Sequence, residues 1–250
     1  MKQRRYKIKL PQTESFQLKQ DEAYFLLDET EDCKTIRFHD YGELYKRPGL
    51  YEQLFYDRLK CQSPQRVAQL LKKVVEDSGS RFSELRVLDV GAGNGMMGEL
   101  LYDLSVARII GVDILEEASN ACERDRPGIY DVFYVIDLTA LSNEVREELQ
   151  GWKCNCMTCV AALGFSDIPP AAFCAAFNLV QSEGWIAFNI KETFLQSSDT
   201  SGFSMLVKNI IWADILEIYH LERYCHRESI DGVPLYYYAV IGRKKANIPP

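Results

Sequence analysis

Val87-Leu88-Asp89-Val90-Gly91-Ala92-Gly93-Asn94-Gly95-Met96-Met97-Gly98-Glu99-Leu100-Leu101 is an apolar run that breaks into alternating glycines and resumes with helical spacing. It reads as a buried strand, a tight loop and the start of a helix. Each glycine removes a Cβ where the backbone must take a positive φ or lie against a ligand, and the helix turns its unpaired N–H groups back toward the loop. Such a loop cradles a nucleotide-like ligand. Gly93 to Gly98 formally matches the dinucleotide pattern GxGxxG. In that pattern the first glycine ends the strand, and counting from Gly91 puts Met96 where the third glycine belongs. The better frame is Asp89-x-Gly91-x-Gly93-x-Gly95.

Downstream the same device repeats. Ala107 to Val112 is a second buried strand ending at Asp113, about twenty residues beyond Gly91, where an acidic side chain reaches the ligand crevice and accepts from both ribose hydroxyls. Ile114 and Leu115 supply an apolar wall for a purine. Val132 to Ile136 is a third strand closed by Asp137 and Leu138, a carboxylate and a backbone N–H placed to read adenine. Asp137 also suits an ordinary strand-to-helix turn, with Ser142 capping a helix over Leu141 to Gln150. Cys154 to Ala162 reads as a fourth strand and Trp185 to Ile190 as a fifth, with an Ala-rich helix between them and another over Phe203 to Ala213. Ile215 to Arg227 and Leu235 to Arg243 then form two strands about a turn, which adds an antiparallel end to a parallel sheet.

Upstream, Glu22 to Leu27 and Lys34 to Phe38 suggest a hairpin outside the main sheet. Phe38 to Tyr51 gathers tyrosines, His39 and Arg47 around Pro48-Gly49, a cluster suited both to packing on the domain and to closing over a ligand. Leu50 to Leu59 and Ser63 to Val75 read as helices, the second with Ser63 as N-cap and Pro64 at its first position. Residues 1–84 are therefore an N-terminal extension or cap and residues 85–250 the ligand-binding domain. The basic opening, Met1 to Lys9, lacks the apolar run of a secretory signal and reads as a solvated tail.

The chain has 250 residues, net charge −7 and pI near 5.2, so there is no global basic field for nucleic acid. No apolar run has the length of a membrane helix, and a cytoplasmic protein is expected. Eight cysteines without a regular framework fit reduced thiols. Cys154-x-Cys156-x-x-Cys159 invites a metal reading, but strand alternation puts Cys154 and Cys156 on one face and Cys159 on the other, so no metal site is expected.

The framing of Asp89, Gly91, Gly93 and Gly95, with acids at three successive strand ends and the terminal strand pair, resembles the class I S-adenosylmethionine-dependent methyltransferases over roughly residues 85–243. The resemblance implies an α/β fold: a doubly wound, seven-stranded, mostly parallel sheet whose last strand inserts antiparallel between the fifth and sixth. It implies S-adenosyl-L-methionine as cofactor, with Asp89, Gly91, Ala92, Gly93, Asn94 and Gly95 at its methionine end. Asp113 would then hold the ribose, Ile114, Asp137 and Leu138 the adenine, and Ala161 and Ala162 would face the sulfonium. No Asn-Pro-Pro-Tyr follows the fourth strand, which disfavours base methylation of the amino type.

A small-molecule acceptor is the leading expectation, with Phe165, Lys191 and the aromatic cluster near it. The alternatives are a protein or peptide acceptor, a non-catalytic cofactor-binding module, and an NAD-dependent oxidoreductase. A base is needed only for an acceptor protonated at neutral pH, and His39, Tyr41, His220 and His226 are unranked candidates. His220 and His226 share a strand face, and solvent exposure or core hydrogen bonding explains them most simply. Gln196 to Gly202 is a candidate lid.

Overall fold

The computed structural model describes residues 5–11, 22–29, 32–164, 167–196 and 198–249. The apolar run of the opening motif forms β4 (Arg86–Val90), whose last four residues are all buried, as a strand covered on both faces requires. The other strands of its sheet are β5 (Arg108–Asp113), β6 (Val132–Val135), β7 (Cys156–Cys159), β8 (Trp185–Lys191), β9 (Leu216–Glu228) and β10 (Pro234–Lys244). Their order is β6-β5-β4-β7-β8-β10-β9. The pairings from β6 to β8 are parallel, and β10 runs antiparallel between β8 and β9. The chain grows from β4 to one side, returns, and continues from β7 to the other, so the sheet has its switch point between β4 and β7. A crevice opens there at the carboxyl ends of the strands.

Helices cover both faces. On one face α6 (Asn143–Gly151), α7 (Pro170–Leu179) and α8 (Phe203–Trp212) pack Leu149, Phe173, Phe177 and Phe203 against Leu88, Met157 and Phe188. On the other, α3 (Ser63–Asp77) and α4 (Met96–Asp103) bring Val67, Leu71 and Leu101 onto Val87, Ala187 and Ala239. Each large aliphatic or aromatic side chain buried this way contributes about 1.5–3 kcal/mol. Next to these, α5 (Glu116–Asp125) packs Ala118 and Ala121 against Tyr45 of the extension.

The extension has its own core. A three-stranded antiparallel sheet of β1 (Lys7–Lys9), β2 (Tyr24–Glu29) and β3 (Asp32–Arg37) buries Phe25, Leu27 and Ile36 against Phe38, Leu44, Leu54 and Phe55. The last three come from α1 (Tyr41–Tyr45), and from a π-helical turn, Gln53–Arg58, that continues α2 (Leu50–Glu52).

Three sequence expectations are corrected. Lys7–Lys9 is not solvated tail but an edge strand on β2, because Tyr6 and Ile8 face the core while Lys7 and Lys9 face water. Ser63 does not cap α3: Gln62 holds the N-cap position and the Ser63 hydroxyl is fully buried in a tertiary network. Cys154 lies before the strand begins and packs with Cys159, while Cys156 faces the opposite core. Burial alone pushes the Cys154 thiol up to about 12, offset only in part by Arg86, which makes it an inert small hydrophobe. No described helix is long and apolar enough to cross a membrane.

Candidate active site

The loop after β4 is positioned by its backbone. Gly91 and Ala92 both donate to the Val112 carbonyl of β5 (2.9 and 3.1 Å), and Gly91, Gly93 and Gly95 all take positive φ, at 68°, 56° and 88°. A Cβ on Gly91 would meet Ala162 and Ile168 at 2.8 Å, and one on Gly93 would come within 2.5 Å of the Tyr45 hydroxyl. The first two glycines therefore form a cradle with no room for side chains, while Gly95 takes the N-cap position of α4 against Cys122 and Ile129.

All three acids at the strand ends line the cavity, Asp89 as a buried brace and Asp113 and Asp137 with more exposure. Asp89, 1% exposed, stands between Gly111 and Thr158 in the sheet register. It accepts from Thr158 Oγ1 at 2.6 Å and from the Tyr130 hydroxyl at 2.7 Å. Burial raises its carboxyl to about 6, with the two hydroxyls and neighbouring Asp113 as smaller influences. The Tyr130 ring fits because the backbones of Gly98 and Gly111 carry no Cβ beside it.

Asp113 accepts from Gly93 N (2.9 Å) and Leu115 N (3.0 Å), tying the end of β5 to the glycine loop with acceptor capacity left for ligand hydroxyls. Asp137 accepts from Thr139 N and Oγ1 (2.8 and 2.7 Å), bonds that lower its pKa. Ile114 is 60% exposed, an apolar side chain left open beside Leu138.

At the end of β7 the backbone is strained. Ala161 takes φ 58° and donates its N–H to Asn189 Oδ1 at 2.6 Å. Asn189, fully buried on β8, donates in turn to Ser63 Oγ (3.0 Å) and the Tyr224 hydroxyl (2.8 Å), and Ser63 is 2.6 Å from His226 Nδ1. The network spans α3, β8 and β9 and holds a conformation that an alanine disfavours. His226 is therefore a core residue, kept neutral first by burial and then by Arg227 and Lys191.

The extension closes over these loops. His39, Tyr41, Tyr45 and Tyr51 line the same cavity of about 480 Å³ as the glycine loop and strand ends, a size usual for small-ligand sites. His39 Nδ1 lies 2.9 Å from Asp167 Oδ2, and the Tyr41 hydroxyl donates to the same oxygen at 3.5 Å. In the neutral ring this pairing puts the proton on Nδ1 and the basic lone pair on Nε2. The extension is bolted down through Arg126, which donates to Glu52 Oε1 (2.8 Å) of α2 and to the Asn94 carbonyl (3.1 Å).

Of the residues expected to hold a cofactor, Asp89, Gly91, Ala92, Gly93, Asn94, Asp113, Ile114, Asp137, Leu138 and Ala161 come together around this cavity, as does Ala162. Gly95 is not among the lining residues. The Asn94 side chain turns away to Glu52 Oε1 at 2.8 Å, so Asn94 faces the loop by its backbone. His39 and Tyr41 are the base candidates at the cavity, and His220 stands apart from it beside Glu222. Phe165 falls outside the described residues. Lys191 ends β8 and is not among the lining residues. In the candidate lid, Asp199 accepts from Ser201 N and Ser204 N (3.0 Å each), which anchors the start of α8. Asp167 is not singled out by the sequence, its segment having only its place after a strand as a signal, whereas Tyr45 belongs to the aromatic cluster over Phe38 to Tyr51.

Comparison with curated proteins finds no match. Among solved structures, the magnesium protoporphyrin IX methyltransferase of Synechocystis PCC 6803, solved with bound SAM, superposes with TM-score 0.51 at 16% identity, over 73% of this chain and 79% of that one. A putative RNA methyltransferase of Pyrococcus horikoshii gives TM-score 0.53 at 12% identity, over 74% and 88%. The Thermoplasma acidophilum protein 1320 gives 0.50 at 16%, over 71% and 84%. At these identities the likeness is one of fold. The methyltransferase domain family matches residues 57–226, more than half of the chain, and the protein belongs to that family as a class I methyltransferase.

Proposed function

We propose that this protein transfers the methyl group of S-adenosylmethionine to a small-molecule acceptor held between the strand ends and the aromatic extension. The observation that carries this reading is the shared cavity: one space of about 480 Å³ is floored by the glycine loop and strand-end acids and roofed by His39, Tyr41, Tyr45 and Tyr51. Gly91 and Gly93 let the loop pack directly against Ala162, Ile168 and Tyr45, which fixes its backbone at the cavity wall, and Ile114 offers an exposed apolar wall for a purine. These are the features a nucleoside cofactor needs. An open groove would suit a polymer; a roofed cavity under a chain of net charge −7 favours a small acceptor.

In this reading the backbone of residues 91–94 holds the methionine end, Asp113 the ribose, and Ile114, Asp137 and Leu138 the adenine. Ala161 and Ala162 face the sulfur, and their small side chains leave room for an acceptor approaching in line. When bound, the cofactor supplies an electrophilic methyl on a cationic sulfur. Asp89, braced by Tyr130 and Thr158 at the cavity wall, contributes its negative charge beside the loop. His39, oriented by Asp167, takes the acceptor proton at Nε2, and the rest of the catalysis is alignment of the reacting atoms. Residues 1–84 serve as the cap that completes the acceptor pocket, and residues 85–250 as the cofactor-binding domain. A cytoplasmic setting is part of the same reading.

Calorimetry with S-adenosylmethionine, S-adenosylhomocysteine and NAD tests the cofactor. The two sulfur compounds should bind and NAD should not, and Asp113→Ala should weaken them. Preference for NAD, with Asp113→Ala leaving the other affinities unchanged, would refute the reading. Labelled methyl donor incubated with a cell extract and separated by size then tests the acceptor, label in macromolecules alone excluding a small molecule.

A further inference from the structure

Behind His39 and Asp167 a smaller chamber of about 30 Å³ adjoins the main cavity, sharing His39, Tyr41, Tyr51, Ala161 and Asp167 with its lining. At about 10–15 Å³ per water-sized group, it has room for two or three heavy atoms. Its wall includes Arg227, which is 4% exposed. The guanidinium lies over the rings of Phe38 (5.6 Å) and Phe55 (5.7 Å) and donates to the Glu228 carbonyl at 2.8 Å. Among the described residues no carboxylate forms an ion pair with it. A buried cation without a counter-charge is costly, and a guanidinium presents five donors in a planar fork matched to a carboxylate.

The surroundings have the same polarity. His226, on the adjoining wall, is held neutral by burial and by Arg227 and Lys191, so it adds no competing charge. The one carboxylate of the chamber, Asp167, is engaged by His39 at 2.9 Å and by the Tyr41 hydroxyl. In the chamber's lining Arg227 thus stands as a cation against a single acid that is already engaged.

We propose that Arg227 anchors the methyl acceptor by a carboxylate group, so that the acceptor is a carboxylic acid whose proton-bearing nucleophile projects from the chamber past His39 into the main cavity. The small chamber favours a carboxylate over the bulkier phosphate, and the flanking Phe38, Tyr41 and Tyr51 suit a planar or apolar portion next to it. This rests on the methyltransferase reading for the word acceptor, but the anion site stands or falls separately.

The probe is benzoate, with benzamide as its uncharged match, titrated calorimetrically into the wild type, Arg227→Gln and Arg227→Lys, each sample also titrated with S-adenosylmethionine. Benzoate should bind the wild type at least tenfold more tightly than benzamide. Arg227→Gln should erase that preference, Arg227→Lys should keep part of it, and S-adenosylmethionine should bind all three alike. Equal binding of benzoate and benzamide to the wild type overturns the proposal whether or not the variants fold. So does a benzoate preference that survives in folded Arg227→Gln. Benzoate selectivity without S-adenosylmethionine binding would keep the anion site and remove the methyltransferase reading, and the reverse pattern would do the opposite.

Discussion

Gly93→Ala probes the contact between the glycine loop and the extension. Two costs arise at this position. With φ at 56°, any Cβ incurs the left-handed penalty of about 1–2 kcal/mol. The added methyl also falls 2.5 Å from the Tyr45 hydroxyl, and Tyr45 has little space to retreat because its ring packs against Tyr51 at 5.3 Å and Tyr41 at 6.1 Å. Overpacking of this kind costs about 1–3 kcal/mol. The sum, about 2–5 kcal/mol, is measurable by urea denaturation, and intrusion into the cavity should weaken S-adenosylmethionine at least tenfold by calorimetry. The two costs separate in the Tyr45→Phe background. Without the hydroxyl the nearest Tyr45 atom to the new Cβ is Cζ at 3.4 Å, an ordinary contact, so Gly93→Ala should then cost only its backbone penalty. A penalty below about 0.5 kcal/mol in the wild type, or an equal penalty in both backgrounds, would refute the reasoning.

Three further outcomes follow from the site. His39→Gln should lower turnover about 10²–10⁴-fold on an acceptor with an ionisable proton while leaving cofactor affinity intact; turnover equal to that of the wild type would remove His39 as base. Asn189→Ala strands Ala161 N–H, Ser63 and Tyr224 and should destabilise by about 2–5 kcal/mol, with Ala161→Gly recovering about 1 kcal/mol of strain; additivity of the two in a denaturation cycle would contradict the network. Asp89 is raised from the ordinary 3.8 to about 6 by burial, so its desolvation cost is absent below pH 3.8, grows as pH rises through that window and is complete above 6. Asp89→Asn should therefore flatten the pH dependence of stability between pH 4 and 7 by about 3 kcal/mol, and identical slopes in wild type and variant would count against it.

What the sequence made legible was local. The glycine ladder, the apolar strands and the acids at three strand ends are each short-range signals, and parallel topology alone brings Asp89, Asp113 and Asp137 to one edge. What escaped was decided at a distance. Ser63 has the chemistry and spacing of an N-cap, yet its hydroxyl is worth more among Asn189, Tyr224 and His226, more than 120 residues away in sequence. Asp167 is unremarkable until the fold sets it 2.9 Å from His39, 128 residues earlier. The edge strand at Lys7–Lys9 carries too few residues to show alternation by itself, and only pairing with β2 gives Tyr6 and Ile8 a core to enter.

The same division separates the two halves of the cavity. Its cofactor side is built from consecutive strand ends inside the span 57–226 that the methyltransferase family shares. The groups assigned here to the acceptor, His39 and Arg227, lie beyond either end of that span, one ahead of α1 and the other at the far end of β9. They meet because the extension is fastened to the glycine loop itself: Glu52 accepts from both Asn94 and Arg126, and Arg126 reaches on to Glu99 at 3.0 Å. That pair is largely buried, with Arg126 10% and Glu52 16% exposed, so removing either charge would cost about 3–5 kcal/mol and release the roof from the floor. On the proposed reading, donor recognition falls to the span that matches the methyltransferase family, and acceptor choice to flanking segments tied down by that ion pair.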